Sequence, residues 1–302
     1  MKTLVLIPPI RFYCFNKVKN EKVVFIRVIP MLLVKLFSLI KKLGFKKEFL
    51  FYGTWKYKKF KSIIIFDSTL LWTPLLLDYL KRNYKDINVF IYKWNNIRSE
   101  EDFNIYKNLC RSQIFDYDKN QADKYNFKYN SIFYNEKYSM PFKKKNVIKY
   151  DVFYLGAAKD RLLEIIESIS FLKKYNFTYK IIIIGENTIG IDDPNVIFTK
   201  RRISYLKYLK MLNESNVILD IAKDNQRGLS LRFMESIFFN KKLITTNKFY
   251  SDFKSENISN ICYINDEESN VVKFKTSMFK DYTNYTKKYY SIDEWLERFE
   301  NE

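Results

Sequence analysis

The sequence predicts an α/β protein with two parallel sheets, each covered by helices. Short, strongly apolar runs such as SIIIFD and YKIIIIG are typical of strands that are buried on both faces of a sheet. These runs alternate with amphipathic stretches of helical length, which favours strand–helix–strand units with parallel pairing. The length of 302 residues indicates two domains of roughly 150 residues each.

The first half of the chain becomes regular from residue 62. Before it, LVLIPP and KVVFIRVI resemble short strands, and residues 31–43 predict an amphipathic helix. Thr73, which precedes Pro74, is an expected helix N-cap, and Ser99 is expected to open the next helix. The predicted order is strand 62–67, helix 73–84, strand 88–94, helix 99–110, strand 112–118 and helix 119–126.

The second half repeats this alternation after a predicted linker. Residues 135–149 are polar and basic and contain Pro141, so we expect domains of residues 1–145 and 146–302. Ser291 is expected to cap a terminal helix. The predicted order is strand 151–156, helix 160–175, strands 179–185 and 195–200, helix 204–215, strand 216–222, helix 229–239, strands 241–246 and 260–264, and helix 291–299.

The composition excludes several kinds of active site. The chain has no His, which rules out Ser-His-Asp triads, Cys-His pairs and H-E-x-x-H zinc sites. Its three Cys form no disulfide framework, so a reducing cytoplasm is expected. A formal charge of +19 predicts attraction to polyanions such as anionic lipid or phosphorylated substrates, although a coding bias toward Lys would produce the same excess.

The chain shows no convincing membrane-spanning or signal segment. The apolar run at the start, MKTLVLIPPIRF, stops at Pro8, and the longest later candidate, IPMLLVKLFSLIKKLGF, is broken by Lys35. The predicted helix 31–43 has a leucine stripe and a basic face. Such a helix suits the surface of an anionic membrane, and it equally suits ordinary packing on a domain core.

Two predicted strand-to-helix loops in the second half carry the chemistry of an anion site. In DNQRGLSLRFMESIFF, Gly228 and Arg232 flank a helix start, with Glu235 in the same helix. In DVFYLGAAKDRLLE, Gly156 ends a strand and basic residues open the next helix. Helix starts present free N–H groups and a positive dipole end, so a nucleoside diphosphate would suit the two loops. The alternative is that Gly228 only ends a turn and that its neighbours are surface residues.

The order and spacing of residues 151–247 resemble the nucleotide-sugar domain of GT-B glycosyltransferases. FYLGAAKDR matches the strand that ends in Gly before a basic loop, and IIIIGEN matches the strand that ends in Gly and an acid. GLSLRFMESIFFNKKLITTN, together with IIIFDS and VFIYKWNNI, is similar to bacterial members that build lipopolysaccharide core or other surface polysaccharide. The resemblance covers about residues 62–250. It implies two Rossmann-like domains facing a cleft, the first on the acceptor side and the second binding the nucleotide sugar.

The resemblance also implies which residues hold the donor. The diphosphate is expected on the two glycine loops and their cations, and a ribose or sugar hydroxyl is expected on Glu235. Many members have a second Glu eight residues before the helix Glu; this chain has Arg227 there, and Gln226 is a candidate polar replacement. The implied donor-binding residues are Gly156, Lys159, Arg161, Glu186, Gln226, Arg227, Gly228, Leu229, Ser230, Arg232 and Glu235.

Asp67 is the expected catalytic base, because it ends the first regular strand, on the edge where ligands of parallel sheets bind. A retaining enzyme would let the leaving phosphate take this role, and a structural Asp is the alternative. Asp116 and Asp118 form the D-x-D pattern that holds a metal in GT-A enzymes, but they directly precede a predicted helix. GT-B members usually need no metal, so we expect neither a metal nor another cofactor.

The sequence therefore predicts a cytoplasmic hexosyl- or deoxyhexosyltransferase. It would pass a sugar from a nucleotide-sugar donor to a lipid-linked saccharide such as lipopolysaccharide core, in peripheral contact with the anionic inner face of the cytoplasmic membrane. Two alternatives remain open. One is a nucleic-acid-binding protein, against which the chain has no recognisable nucleic-acid motif. The other is a catalytically inactive scaffold, because Arg227 replaces the first Glu.

Overall fold

The chain divides into two compact units. The first contains residues 1–131 and 298–302, and the second contains residues 132–297. The predicted boundary between residues 145 and 146 falls inside the second unit. The computed structural model describes residues 2–7, 23–27, 59–67, 73–97, 99–107, 113–142, 147–158, 161–186, 190–222, 227–250 and 257–301.

The first unit holds a six-stranded sheet in the order β2-β1-β3-β4-β5-β6, and all of its neighbouring strands run parallel. Within the described residues, the predicted strands and helices from residue 60 onward are confirmed with small shifts at their ends, while the two-residue β6 was not predicted. The elements are β1 (Lys2–Ile7), β2 (Val23–Arg27), β3 (Phe60–Asp67), α1 (Thr73–Asn83), β4 (Asn88–Lys93), α2 (Glu100–Lys107), β5 (Ile114–Asp116), α3 (Lys119–Tyr125) and β6 (Lys128–Tyr129).

Alternate residues of these strands form the core of the first unit. Leu4 and Leu6 of β1 and Ile63 and Ile65 of β3 are fully buried there with Leu80 of α1. Each such side chain stabilises the fold by roughly 1.5 to 3 kcal/mol. The predicted helix over residues 31–43 lies outside the described residues.

The second unit holds a second parallel sheet of six strands, in the order β12-β11-β10-β7-β8-β9. The two parallel α/β sheets match the predicted fold class. The elements are β7 (Tyr150–Ala157), α4 (Leu162–Lys174), β8 (Tyr179–Ile184), β9 (Val196–Thr199), α5 (Tyr205–Asn213), β10 (Ser215–Asp220), α6 (Leu231–Phe238), β11 (Lys242–Thr245), β12 (Ile261–Tyr263), α7 (Glu268–Thr276), α8 (Asn284–Tyr289) and α9 (Ile292–Asn301).

The strand order reverses between β7 and β10. From β7 the chain adds β8 and β9 on one side, and from β10 it adds β11 and β12 on the other. Such a switch point leaves a crevice outside the carboxyl ends of the two central strands, where open α/β sheets bind ligands. The topology therefore indicates the loops after β7 and β10 as the candidate ligand-binding loops.

The start of the predicted linker is ordered within the second unit. Short 3-10 helices span Glu136–Tyr138 and Met140–Phe142, and Asn135 caps the first by accepting a hydrogen bond from the Lys137 amide at 3.2 Å. Tyr138 is buried, and Phe133 packs on Trp295 with ring centroids 4.4 Å apart. The aromatic side chains thus outweigh the polar composition on which the linker prediction was based.

Candidate functional site

The two glycine loops predicted to bind an anion open on the same edge of the second sheet. β7 contains Gly156, β10 leads into the loop before Gly228, and the two strands are adjacent and parallel. This is the edge at which the strand order reverses. The topology therefore brings together the two loops that the sequence separates by about seventy residues.

Arg232 in the first turn of α6 connects the two central strands. Its guanidinium donates a hydrogen bond to the Leu155 carbonyl of β7 at 2.5 Å and lies over the Tyr154 ring, 4.9 Å from the centroid. It also lies 3.9 Å from Asp220 at the end of β10. The side chain is thus held across the switch point by contacts with both strands.

Asp220 organises the start of α6 and was missed by the sequence analysis. Its carboxylate is fully buried and accepts hydrogen bonds from the Ser230 hydroxyl at 2.8 Å and the Thr245 hydroxyl at 3.1 Å. Ser230 is the N-cap of α6, because its oxygen also accepts hydrogen bonds from the Arg232 and Phe233 amides. An Asp at the end of a buried strand was the signal that was available in the sequence.

Gly156 has a structural reason to be glycine. A Cβ atom at this position would overlap the hydroxyl and ring of Tyr154, two residues earlier on the same face of β7. Tyr154 is fully buried beneath the Arg232 guanidinium. The missing side chain therefore makes room for Tyr154, and this requirement exists whether or not a phosphate approaches the loop.

The buried donor atoms of the second unit that lack a hydrogen-bond partner among the described residues include the Tyr154 hydroxyl, Arg161 Nε, Arg232 Nε and Asn247 Nδ2. Tyr154 and Arg232 lie together at the switch point, and Arg161 stands directly before α4, the helix that follows β7. Buried polar groups are nearly always paired, so these donors are candidates for contact with a ligand.

The starts of α4 and α6 differ in how their amides are satisfied. Ser230 caps α6, whereas Arg161 at the N-cap of α4 makes no side-chain capping bond. The first backbone amides of the thirteen-residue α4 therefore lack the side-chain cap that α6 has. The start of α4 is the better candidate of the two for binding an anion at a helix N-terminus.

Glu235 is more enclosed than the sequence analysis anticipated. It is 1% exposed, and its two carboxylate oxygens accept hydrogen bonds from the hydroxyls of Tyr205, at 2.8 Å, and Tyr208. Burial raises the pKa of Glu235 to about 7, although the Tyr208 hydrogen bond and the Arg232 charge act in the opposite direction. A sugar hydroxyl would have to share or replace one of these tyrosine bonds.

The remaining predicted donor residues occupy varied positions. Glu186 is exposed and forms an ion pair with Lys200 at 2.7 Å. Arg227 is exposed and stacks on Phe249, 4.2 Å from the ring centroid. Gly228 and Leu229 are buried, and Lys159 and Gln226 lie outside the described residues.

The first unit carries a row of buried charged groups at the carboxyl ends of its strands. Asp67, Lys93 and Asp116 end β3, β4 and β5 in direct register, and all three are at most 5% exposed. Asp67 accepts a hydrogen bond from the Tyr106 hydroxyl. Burial lowers the pKa of Lys93 and raises the pKa of Asp116 to about 7, and the Lys93–Asp116 attraction opposes both shifts. Buried charges are costly, so this row is a candidate functional feature at the carboxyl ends of the first sheet.

The D-x-D pattern serves the local fold. Asp118 is the N-cap of α3 and accepts from the Asn120 amide at 3.1 Å, while Asp116 Oδ1 accepts from the Asp118 amide at 2.9 Å. Asp116 Oδ2 is buried and has no partner among the described residues. The helix predicted to begin at Lys119 is thus the immediate reason for the second Asp.

Comparison with known proteins supports the fold alone. No protein-family model matches the chain, and no curated protein matches it in sequence. The N-terminal domain of trehalose-6-phosphate phosphatase from Candida albicans aligns with a TM-score of 0.54 and 11% identity, covering 99% of this chain and 92% of that one. UDP-GlcNAc 2-epimerase from Neisseria meningitidis, solved with UDP-GlcNAc bound, aligns with a TM-score of 0.50 and 13% identity, covering 99% and 98%.

A third similar structure is an α1,3-fucosyltransferase, with a TM-score of 0.44 and 9% identity over 100% of this chain and 82% of that one. This likeness is too weak to support an argument. The two stronger matches agree with the two parallel sheets of the present chain.

Proposed function

We propose that the chain is a glycosyltransferase that uses a nucleotide-sugar donor. One observation carries the proposal: Tyr154, Arg161 and Arg232 present buried, unpartnered donors beside two helix starts at the switch point of a parallel sheet. Two guanidinium groups next to helix N-termini suit a diphosphate, which is the charged part of such a donor. An epimerase of the same fold binds UDP-GlcNAc, so the fold accommodates a ligand of this class.

Within this proposal the diphosphate lies at the open start of α4, with Arg161 and Lys159 as its cations. Arg232, held by Leu155 and Tyr154, adds a fixed positive charge at the switch point. Fixed positive groups stabilise the negative charge that develops on a leaving nucleoside diphosphate, and they need no metal to do so. Glu235 acts mainly by positioning Tyr205 and Tyr208, and it contacts a donor hydroxyl through rearrangement of one tyrosine bond.

Asp67 is proposed to accept the proton of the acceptor hydroxyl. Its hydrogen bond with Tyr106 fixes the carboxylate, and Asp67 ends a parallel strand, at the carboxyl end where open α/β sheets bind ligands. The proposed acceptor is a lipid-linked saccharide such as lipopolysaccharide core, and the transferred group is a hexosyl or deoxyhexosyl residue. The proposed location is the inner face of the cytoplasmic membrane. Among the described residues, no helix has the length and apolarity needed to cross a bilayer.

A thermal-shift panel of UDP-, GDP-, dTDP-, ADP- and CMP-sugars tests the proposal. We expect one nucleotide class to raise the melting temperature of the wild type, and Arg161→Gln to reduce that shift at least twofold. Arg82→Gln is the matched control, because Arg82 is an exposed arginine of the first unit. Absence of a shift with all five sugars, or equal shifts in both variants, would refute the donor site.

The nucleic-acid alternative is separated by filter binding of RNA and DNA over a salt series. Tight, steeply salt-dependent binding with no response to nucleotide sugars would favour it over sugar transfer. The scaffold alternative predicts a donor-induced shift without donor hydrolysis or transfer to any saccharide. Product formation in a hydrolysis assay would exclude it.

A further inference from the structure

The connection from β9 to α5 and the exposed positions of α5 are rich in positive side chains. Residues 194–213 contain five Lys and Arg and no Asp or Glu. Lys200 forms an ion pair with Glu186, whereas four other cations of this stretch have no ion pair among the described residues. They share exposure to solvent, and they are Arg201, Arg202, Lys207 and Lys210.

One large apolar side chain stands among these cations. Leu206 lies in the first turn of α5 and is 50% exposed, while Tyr208 and Leu209 of the same helix are buried against the unit. Leu206 and Lys210 are four residues apart, so they share one helix face with Lys207 beside them. We call Arg201, Arg202, Leu206, Lys207 and Lys210 the basic surface.

We propose that the basic surface docks on an anionic lipid membrane. Positive side chains are attracted to acidic headgroups, and an exposed leucine between them can enter the boundary of the acyl region. Lysine stems can extend along the apolar boundary while their ammonium groups stay among the headgroups. The cations and the exposed leucine of the basic surface thus both suit an anionic lipid membrane.

Nucleic acid fits the same surface less well. A single-stranded nucleic-acid site combines cations with exposed aromatic rings on which bases stack. Here Tyr208 is buried, and the hydroxyls of Tyr205 and Tyr208 are bound to Glu235 of α6. The apolar member of the basic surface is therefore Leu206, an aliphatic side chain on which a base cannot stack.

The position of α5 would place a docked membrane near the candidate donor site. Tyr205, next to Leu206, donates to Glu235, so the start of α5 lies against α6 at the edge that holds the candidate donor site. A membrane bound there would lie close to this edge. This inference deepens the proposed function, because a lipid-linked acceptor would be presented near the donor.

Vesicle cosedimentation of the full chain tests the inference. Vesicles of phosphatidylcholine are compared with vesicles of equal parts phosphatidylcholine and phosphatidylglycerol. The double variant Lys207→Gln/Lys210→Gln should bind the anionic vesicles at least tenfold more weakly than wild type, since each cation near the surface contributes roughly fivefold. At high salt, where the electrostatic part of the binding is screened, Leu206→Asn should bind the anionic vesicles more weakly than the wild type does.

Lys273→Gln/Lys280→Gln is the matched control, because it removes the same charge from exposed lysines elsewhere on the second unit. Equal loss in the control, unchanged binding in the α5 variant, or equal binding to neutral vesicles would overturn the proposal. Stronger retention of single-stranded DNA than of vesicles by the same residues would assign the surface to nucleic acid instead. The nucleotide-sugar thermal shift should persist in both variants, so failure of docking is distinguishable from failure of the donor site.

Discussion

At the scale of single residues, the second unit depends on a few side chains in unusual surroundings. Tyr154 is buried between Gly156 and Arg232, and Glu235 is buried between two tyrosines. None of these contacts is local in sequence except that of Tyr154 with Gly156. The residue types were visible in the sequence, but their burial was not, because burial depends on which helix packs over which strand.

Gly156→Ala should destabilise the protein by roughly 1 to 3 kcal/mol, because the new methyl group overlaps Tyr154 and forces it from its position. Urea unfolding measures this change. The same substitution in a Tyr154→Leu background should cost less, since the ring is gone. Equal costs in the two backgrounds would show that Tyr154 is not the reason for the glycine.

Glu235→Gln should change how stability depends on pH. The pKa of Glu235 is raised from 4.5 to about 7 in the folded protein, so folding takes up a proton between these pH values. The contribution is complete below about pH 4.5 and is lost as the pH rises through about 7, by roughly 3 kcal/mol.

Urea unfolding at a series of pH values checks this expectation. The wild type should lose more stability between pH 5 and pH 7.5 than Glu235→Gln does, on the order of 2 kcal/mol. Glu268→Gln, on an exposed side chain, should keep the wild-type dependence. Asp116 adds a slope of the same sign, since burial also raises its pKa to about 7, and it acts equally in all three proteins. Identical profiles in wild type and Glu235→Gln would contradict the assignment.

At the scale of elements, helix starts and ends explain much of the architecture. Ser99 and Ser291 each accept a hydrogen bond from a backbone amide in the following turn, as the sequence predicted. Ser204 and Ser230 accept equivalent bonds at the starts of α5 and α6. Helix α7 was not predicted, because only Val271 and Phe274 of its nine residues are buried and its apolar pattern is weak. Local capping signals are therefore reliable, whereas a short exposed helix leaves little periodicity to detect.

Ser230→Ala should destabilise the protein more than Ser204→Ala. Both remove an N-cap, which costs about 1 kcal/mol, but Ser230 also donates to the buried Asp220 carboxylate. We expect a difference of roughly 1 to 2 kcal/mol in unfolding free energy. The nucleotide-induced thermal shift should also fall only in Ser230→Ala. Equal losses of stability in the two variants would show that the hydrogen bond from Ser230 to Asp220 does not contribute to folding stability.

At the scale of the whole molecule, the chain returns to its first unit at the end. The last described residues belong with residues 1–131, where Arg298 donates to Asn130 at 2.6 Å and Phe299 packs on Phe115 with centroids 4.6 Å apart. From the sequence, these residues were predicted to belong to the second domain, together with the rest of α9. A contact across about 170 residues of chain leaves no local trace in the sequence.

Phe299→Ala should destabilise the first unit by about 3 to 5 kcal/mol, because it empties a site lined by Phe90, Tyr92 and Phe115. Thermal unfolding followed by tryptophan fluorescence measures the loss. Since the candidate donor site belongs to the second unit, the nucleotide-sugar shift should be retained below the new transition. Leu163→Ala, on an exposed side chain, is the control and should change stability little.

The sequence by itself determined most of the strands, the main helices and the parallel fold class, because buried strands and amphipathic helices leave periodic apolar patterns. It also placed glycines and cations at strand ends. Only the tertiary structure decided that Asp220, Tyr154 and Tyr205 complete the candidate site and that Glu235 is enclosed. It likewise decided that Lys241 and Lys242 of the KKLITT strand are buried with their ammonium groups on carbonyls at the ends of α5 and α7. Those outcomes depend on which elements become neighbours, and strand order is a property of the folded chain that no local pattern encodes.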